Sequence, residues 1–510
     1  MRVVFACGAM VGHLNPMLAL AKHLADIGHE VHFRSMPAAR AKVEATGALY
    51  YDAVAQQPEF YEGRQLFGPL GALEDLMKEH GLDASSFLSH LCVRNIILEQ
   101  QLPGSLRFLR EVRPDVVVYD ALVSCRDVMV AAQLVGIPAV GVWSLAGPGA
   151  WLTHSAATML PLTLDEAHRV VARFSPHAEA TARLQETYGL DLCQGLPQPA
   201  GKMDTFDADV TLVTTCADLQ DPLPEELASA YARDGIRFEC VGPLLMDGAS
   251  ANGSGRCNSA SCPGLLAVQQ ARASGRVVAF ASMGTVVTSD HSLNGWLGRS
   301  GGSSLTGQQL CRAAWGGAFD AFGAASAEEG VLLVVSLGPQ PGALGDLSVP
   351  PNAVCLPFVD QQRMLKAGVD VFLTHGGQNS FTEAMMLATP VVVCPGFGDQ
   401  VVNSRKAEAL SVGVRIDRPE GELDTDGAVA RQYRADVRDA LLRVRSEPTF
   451  RHAASRCSDR LRKTGGLPRA VELVLRAGQR AGAPAAAGKP APSMAGAVDS
   501  AMVGATKGGA

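Results

Sequence analysis

A block of polar side chains between residues 369 and 403 has the types and spacing of a site for a phosphorylated ligand. His375 and Gly377 follow an apolar strand and begin an amphipathic helix, whose free backbone N–H groups and positive dipole end favour a phosphate or diphosphate. Ser380 and Glu383 lie three residues apart and share a helix face, where a carboxylate suits a ribose diol. The block therefore predicts a nucleotide-binding unit.

Two more polar residues, Asp399 and Gln400, come after the second strand of this block, where open α/β sheets bind ligands. A carboxylate beside an amide is suited to sugar hydroxyls. Taken singly, His375 could be a hydrogen-bonded structural residue, Glu383 a solvated helix residue and Asp399 a turn residue. No packing argument requires all of these side chains in one strand–helix–strand unit, so their combination indicates a ligand site.

Another histidine lies near the amino terminus. The hydrophobic pattern predicts a strand over residues 2–6, a small-residue turn over residues 7–12 and a helix over residues 14–27. His13 should then lie at the mouth of this strand–helix unit, where the positive helix end disfavours imidazolium and keeps the ring neutral, as a general base requires. Taken alone, His13 would more simply be a structural residue.

A histidine base works better when a carboxylate holds its other ring nitrogen. Residues 113–120 form a buried-strand pattern that ends at Asp120, which is therefore a candidate for that role. The alternative is that Asp120 caps a helix over residues 124–135, and the two roles are compatible.

These motifs resemble the signature of family 1 glycosyltransferases, inverting enzymes that use nucleoside diphosphate sugars, usually UDP-sugars. The family pattern runs W-x-P-Q, H-x-G-x-N-S-x-x-E, P and D-Q, and the 24 positions from His375 to Asp399 (399 − 375) match its spacing. Phe358 stands where the family usually has a Trp that stacks on uracil, and Asp360 where it usually has Pro. The donor-binding residues implied are Phe358, Gln361, His375, Gly377, Asn379, Ser380, Glu383, Asp399 and Gln400.

The resemblance covers about residues 1–250 and 275–476. The GHLNP sequence around His13 is similar to the motif whose histidine removes the proton from the acceptor hydroxyl, and the strand ending at Asp120 resembles the one whose aspartate pairs with that histidine. The resemblance thus implies His13 and Asp120 as the catalytic pair. A Ser-Met-Gly-Thr turn is similar to a family loop that contacts the diphosphate, which adds Ser282, Gly284 and Thr285 to the donor contacts.

The fold that the resemblance implies is α/β and of the GT-B class, with two facing doubly wound Rossmann-like domains and a C-terminal helix that packs back on the first domain. The activity implied is inverting, metal-independent transfer of a hexose from a nucleoside diphosphate sugar of UDP-glucose type to a hydroxyl of a lipophilic small molecule. No cofactor is expected beyond the donor as co-substrate. The segments predicted are an acceptor-binding domain over residues 1–245, a linker over 246–275, a donor-binding domain over 276–447, helices returning to the first domain over 448–476 and a disordered tail over 477–510.

Composition agrees with this assignment. A chain of 510 residues exceeds a single compact core and favours two or more domains. Its 47% hydrophobic and 19% charged residues are typical of a soluble globular protein, while 5% aromatic residues and a net charge of −7 argue against a nucleic-acid partner. No apolar run reaches the roughly 18 residues of a membrane span, so the expected location is cytoplasmic. The twelve cysteines are expected to be reduced core residues.

Several features leave alternatives open. Asp207 and Asp209 form a D-x-D pattern that binds metal in another glycosyltransferase fold, but no metal site is expected here. The glycine-rich residues 289–308 predict a mobile insertion, with a lid as the alternative. An apolar pocket for an aglycone such as a polyketide, sterol or phenolic is expected around residues 58–105 and 143–165, although core packing explains most of its aromatic residues equally well. The acceptor-binding candidates are Phe60, Phe67, Trp143 and Trp151.

Two other functions are alternatives to sugar transfer. A sugar-nucleotide epimerase on the same scaffold would form sugar isomers without an aglycone, and a non-catalytic sugar-nucleotide-binding protein would not need an intact His13 and Asp120. A dinucleotide oxidoreductase is poorly supported because Gly8 and Gly12 do not form G-x-G-x-x-G after the first strand.

Overall fold

Two parallel β-sheets, one in each part of the chain, form the frame of the protein. The computed structural model describes residues 1–66, 71–122, 125–156, 159–246, 262–291, 294–299, 302–323 and 330–480. The predicted doubly wound α/β architecture is confirmed, since every strand pairing in both sheets is parallel.

The first domain surrounds a seven-stranded sheet. Its strands are β1 (Arg2–Ala6), β2 (Glu30–Ser35), β3 (Leu49–Asp52), β4 (Val116–Asp120), β5 (Ala139–Trp143), β6 (Val210–Val213) and β7 (Phe238–Cys240). Their order is β3-β2-β1-β4-β5-β6-β7, so the strand order reverses between β1 and β4. Every residue of β4 and β5 is buried, as expected for strands that are covered on both faces.

Helices flank this sheet on both faces. They are α1 (Val11–Asp26), α2 (Arg40–Glu44), α3 (Ala53–Gln56), α4 (Pro58–Tyr61), α5 (Ala72–Glu79), α6 (Phe87–Cys92), α7 (Arg94–Val112), α8 (Arg126–Val135), α9 (Leu164–Arg173), α10 (Ser175–Tyr188) and α11 (Glu225–Arg233). Short 3-10 turns occupy Pro37–Ala39, Asp204–Phe206 and Ala217–Leu219, and a π-helical turn occupies Trp151–Ala156.

The second domain surrounds a six-stranded sheet with the same kind of strand order, β10-β9-β8-β11-β12-β13. The strands are β8 (Val277–Ser282), β9 (Val331–Ser336), β10 (Ala353–Leu356), β11 (Val371–Thr374), β12 (Val391–Val393) and β13 (Gly413–Arg415). The remaining helices are α12 (Pro263–Ala273), α13 (Gly307–Phe322), α14 (Gln361–Gly368), α15 (Gln378–Met386), α16 (Asp399–Ala409), α17 (Ala428–Ser446), α18 (Pro448–Arg462) and α19 (Gly466–Arg480). None of the helices within the described ranges has the length and hydropathy that a membrane crossing requires.

The last helix, α19, packs back on the first domain, as predicted. Its buried Val471 and Val474 share a hydrophobic core with Met17 of α1 and Val116 of β4. The preceding helix α18 does not return with it, because its buried face belongs to the core of the second domain. This corrects the prediction that the helices over residues 448–476 return together.

Three boundaries also differ from the predictions. The described part of the predicted linker contains α12, which buries Leu265 and Val268 against the second sheet because its apolar residues recur at helical spacing. Helix α19 continues to Arg480, into the predicted tail. Helix α13 begins at Gly307, inside the predicted insertion, where Thr306 and Gln309 form a capping box. Residues 247–261 and 481–510 lie outside the described residues.

Candidate active site

The carboxyl ends of β1, β4 and β5 bring three polar side chains together. Nδ1 of His13 lies 3.2 Å from Oδ1 of Asp120 and 3.0 Å from Oγ of Ser144. Asp120 is the buried last residue of β4, and Ser144 directly follows β5. With the Nδ1 hydrogen directed at Asp120, Nε2 is the nitrogen that can accept a proton. The two predicted residues are therefore in contact, and Ser144 is an unpredicted third member.

Helix α1 begins earlier than predicted, so His13 lies within its first turn rather than before it. The backbone N–H of His13 donates to the carbonyl of Met10 at 3.0 Å. Asp120 does not cap the following helix, because α8 begins at Arg126 with Cys125 at the N-cap position. Oδ1 of Asp120 instead accepts the backbone N–H of Leu122 at 3.3 Å. The carboxylate is thus available to the histidine.

The pKa of His13 differs from the expectation based on the helix dipole. Burial alone would lower the pKa of this imidazole, but the charge and hydrogen bond of Asp120, together with the charge of Asp399, raise it above its ordinary value. The prediction that the ring stays neutral is therefore not supported, because the nearby carboxylates stabilise imidazolium more strongly than burial opposes it. A base with a raised pKa binds an abstracted proton more tightly.

In the second domain, the predicted phosphate site is built around the start of α15. His375 follows β11 directly, and α15 begins at Gln378 with Gly377 at the N-cap position. Oδ2 of Asp399 accepts the backbone N–H of Gln378 at 2.7 Å. A carboxylate at this place is favoured by the positive helix end. The contact was not predicted, since the sequence assigned that amide to a phosphate and Asp399 to sugar hydroxyls.

The ring of His375 is fitted between two glycines. A Cβ atom at Gly284 would lie 2.5 Å from Cε1 of the ring, and one at Gly377 would lie 2.6 Å from Nε2, so any side chain at either position would displace the imidazole. Burial lowers the pKa of His375, and the charge of Asp399 and a hydrogen bond with the backbone of Ser282 offset this in part. The site therefore favours the neutral imidazole at His375.

Two glutamines of α14 hold the polar face of α15. Nε2 of Gln361 donates to Oγ of Ser380 at 3.1 Å and to Oε2 of Glu383 at 2.6 Å. Nε2 of Gln362 donates to Oε1 of Glu383 at 2.9 Å. Burial raises the pKa of Glu383, although both amide contacts act in the opposite direction. Gln362 was not predicted, and its place beside Gln361 at a helix start is the sequence signal that could have indicated it.

Three further predicted residues, and Asp360, lie around this site. Phe358 lies between β10 and α14 with 41% of its surface exposed, as a stacking platform would require. Asp360, which departs from the family pattern, caps α14 by accepting the N–H of Arg363 at 3.1 Å. Thr285 is exposed in the turn after β8. Oε1 of the buried Gln400 accepts the N–H of Gly396 at 2.8 Å.

The group around His13 and the group around the start of α15 face each other across the cleft between the domains. The side-chain amide of Asn379, on α15, donates to the carbonyl of Gly12, the residue before His13. Asn15 and Thr214 from the first domain and Glu383 from the second line the same cleft. Residues more than 350 positions apart in the chain thus meet at one place (379 − 12 = 367).

Comparisons with known proteins agree with this arrangement. The sequence model of the family described as UDP-glucoronosyl and UDP-glucosyl transferase matches residues 318–430. This range contains the donor block, the predicted donor-binding residues from Phe358 to Gln400. Two uncharacterized UDP-glucosyltransferases of Bacillus subtilis (strain 168) are similar to the chain. YojK is 25% identical over 306 residues, 59% of this chain and 60% of that protein, and YdhE is 25% identical over 425 residues, 80% of this chain and 84% of that protein. These matches show similarity to UDP-glycosyltransferases over part of the chain.

The fold is of the GT-B class, as predicted. The crystal structure of the glycotransferase of kitacinnamycin superposes on it with a TM-score of 0.60, covering 93% of this chain and 98% of that one at 22% sequence identity. At this identity the likeness concerns the fold. By sequence, the chain spans 60% of the length of YojK, which is less than two thirds.

The aromatic residues predicted to bind the acceptor lie mostly in the hydrophobic core. Trp143 is 1% exposed, packs edge-on against Phe206 and donates from Nε1 to the carbonyl of Gly147. Phe60 and Trp151 are also buried within hydrophobic clusters. Their contacts are those of core residues, which corrects the expectation of an aromatic pocket wall. Phe67 lies outside the described residues.

Asp209 of the D-x-D pattern has a structural environment. Oδ2 of Asp209 accepts the N–H of Ala139 at 3.0 Å, which joins the start of β6 to the start of β5. Among the described residues, no group of three or more His, Cys, Asp or Glu side chains is arranged to hold a metal ion. The cysteines within the same ranges are free thiols.

Proposed function

We propose that this protein transfers a hexose from a nucleoside diphosphate sugar of UDP-glucose type to a hydroxyl of a lipophilic small molecule, with inversion and without a metal ion. The observation that supports it best is the position of the His13–Asp120 pair, which faces the donor block across one cleft. A pair of this kind is suited to proton removal, and the helix start opposite is suited to a diphosphate.

The reaction follows from this arrangement. Nε2 of His13 removes the proton of the acceptor hydroxyl while that oxygen forms a bond to the anomeric carbon. The bond from this carbon to the diphosphate oxygen breaks on the opposite face, and the nucleoside diphosphate leaves with the electron pair. Asp120 stabilises the imidazolium that forms, as a carboxylate does in other histidine bases.

The second domain stabilises the negative charge of the leaving group. His375, the start of α15 and the Ser282–Thr285 turn supply fixed donors and dipoles, and such preorganised groups need no rearrangement as charge develops. This arrangement replaces the metal ion that other transferases use. The base stacks on Phe358, the ribose is held near Ser380 and Glu383, and the sugar hydroxyls are read by Asp399 and Gln400.

A substrate panel tests this proposal. The purified protein is incubated with UDP- and dTDP-sugars and mixed polyketide, sterol and phenolic acceptors, and the products are identified by mass spectrometry. The expected result is an acceptor whose mass increases by one hexose residue, with one nucleoside diphosphate released and no such product from His13→Ala. Sugar isomers without an aglycone would indicate an epimerase, and donor binding without any turnover would indicate a binding protein.

A further inference from the structure

Apart from the residues of the candidate active site, a buried ion pair also joins the two domains. Nζ of Lys406, on α16 of the second domain, pairs with Oδ1 of Asp221 in the first domain. The lysine side chain is 16% exposed and the carboxylate 2% exposed, so both charges are largely removed from water. Nζ also donates to the carbonyl of Leu219 at 2.9 Å. The ammonium group is thus anchored to the first domain by two partners.

On the side of the first domain, Asp221 is connected to the segment that follows β5. Its backbone N–H donates to the carbonyl of Ala146 at 2.7 Å, two residues beyond Ser144, the contact of His13. Its Oδ2 accepts the hydroxyl of Thr153, within the π-helical turn Trp151–Ala156. Asp221 therefore contacts the segment after β5 through its backbone N–H, and its carboxylate links the adjacent turn to the other domain.

On the side of the second domain, Lys406 belongs to the helix that begins with Asp399. The two residues are seven positions apart (406 − 399), which places them on the same face of α16 two turns apart. Asp399 in turn holds the N–H of Gln378 at the start of α15. Helix α16 also packs against the π-helical turn that carries Thr153. The ion pair is therefore connected to the start of the donor-binding helix.

We propose that Asp221 and Lys406 are positioning residues that fix the donor-binding helices relative to the segment carrying Ser144, and so set the distance from His13 to the anomeric carbon. Burying two charges carries a desolvation cost that can exceed the attraction between them, so such a pair is weak evidence for stability. Its geometry is specific, however, because Lys406 and Thr153 contact different oxygens of the Asp221 carboxylate. This role in the reaction rests on the proposed transfer function.

A second ion pair between the same domains provides a matched control. Arg460 of α18 lies 3.4 Å from Asp218, three residues before Asp221, and the two side chains are 50% and 57% exposed. Exposed pairs of this kind contribute little. Asp218→Asn therefore removes a carboxylate from the same loop without touching the buried pair, and its turnover should stay within about twofold of the parent.

The variants to compare are Asp221→Asn, Lys406→Met and the double variant that carries both. We expect kcat to fall by roughly 10- to 100-fold in each, because a displacement of about 1 Å at the reacting centre has effects of this size. The dissociation constant for UDP should stay within about threefold, since the donor-binding residues lie within one domain. The single variants leave one buried charge unpaired and should melt at lower temperature, and the double variant should recover most of that loss.

The double variant separates positioning from stability. Recovery of the melting temperature with kcat still low supports positioning, whereas recovery of both overturns it, and so does normal kcat in a folded Asp221→Asn. Amide hydrogen exchange gives a readout that does not depend on turnover. Exchange in residues 151–156 should be faster in the double variant than in Asp218→Asn, and equal rates would contradict the proposal. If the parent transfers no sugar, the proposed function fails while the exchange result still decides whether the pair joins the domains.

Discussion

His13 and His375 occupy mirrored positions in the two domains, yet their pKa values move in opposite directions. In the first domain the histidine follows β1 and its carboxylate comes from β4. In the second the histidine follows β11, and its neighbours Ser282 and Gly284 lie at the end of β8 and in the turn after it. Both pairs of strands lie where the strand order of the sheet reverses, which is the usual ligand site of such sheets.

The difference lies in what the neighbouring strand supplies. The carboxylate of Asp120 contacts the His13 ring and, with Asp399, raises its pKa despite burial. His375 meets a glycine backbone, has no carboxylate hydrogen-bonded to its ring among the described contacts, and burial lowers its pKa. The same residue type can thus act as a proton acceptor in one domain and as a neutral hydrogen-bonding group in the other, because one strand end carries Asp instead of a glycine turn.

The largest effect is expected at His13. His13→Ala should lower turnover by roughly 10²- to 10⁴-fold, since the proton acceptor is lost, while the dissociation constant for UDP stays within a few fold because the donor site lies in the other domain. Steady-state kinetics and calorimetric UDP titration measure the two quantities. Near-parental transfer by a well-folded His13→Ala would remove the proposed mechanism.

A smaller loss is expected at Asp120. Asp120→Asn keeps the base but weakens its orientation and removes the charge that stabilises imidazolium, so turnover should fall by less than in His13→Ala. Ser144→Ala is the matched control, because it removes the other contact of Nδ1 without changing the charge. A loss in Ser144→Ala as large as that in Asp120→Asn would show that the carboxylate charge is not what distinguishes the two histidines.

Phe358 tests whether the second domain binds the nucleotide base of the donor. Loss of aromatic stacking costs about 1–3 kcal/mol, so Phe358→Ala should weaken UDP binding by roughly 5- to 150-fold, and Phe358→Trp should bind at least as tightly as the parent. The 41% exposure of the ring indicates that Ala should hardly change the melting temperature. An unchanged dissociation constant together with a lower melting temperature would instead make Phe358 a packing residue.

The smallest effect is expected from metal removal. If His375 and helix dipoles are sufficient to stabilise the diphosphate, excess EDTA should leave initial rates essentially unchanged. Activity that EDTA abolishes and Mn²⁺ or Mg²⁺ restores would contradict this. It would instead indicate that Asp207 and Asp209 are metal ligands.

Much of this site could be predicted because its residues lie near strand ends. There a short sequence motif indicates both the residue type and its place at the edge of the sheet. Strand β1 and the pairing of His13 with Asp120 follow from local patterns of this kind. The Asp221–Lys406 pair could not be found in this way, since its members are 185 residues apart (406 − 221) in segments without a motif. Their meeting depends on how the two domains pack.

The misassigned residues show a different limit. Trp143 and Trp151 are large and apolar, and composition alone cannot distinguish a pocket wall from a core, which depends on the packing partners. The pKa of His13 was misjudged because the helix end and the Asp120 partner are visible in the sequence, whereas the balance between burial and the charges of Asp120 and Asp399 depends on the folded structure. Ser144 follows β5 as directly as Asp120 ends β4, so its position could have been noticed.

The pH dependence of kcat/KM in the parent and in Asp120→Asn tests the central claim most directly. His13 must be neutral to accept a proton, so activity should fall as the pH drops through its pKa, which Asp120 and Asp399 raise above the ordinary value of about 6.5. In Asp120→Asn that acidic limb should move to lower pH, because the main charge that favours imidazolium is gone. An acidic limb that is absent from the parent, or that stays in place in Asp120→Asn, would contradict the assignment of His13 as the base held by Asp120.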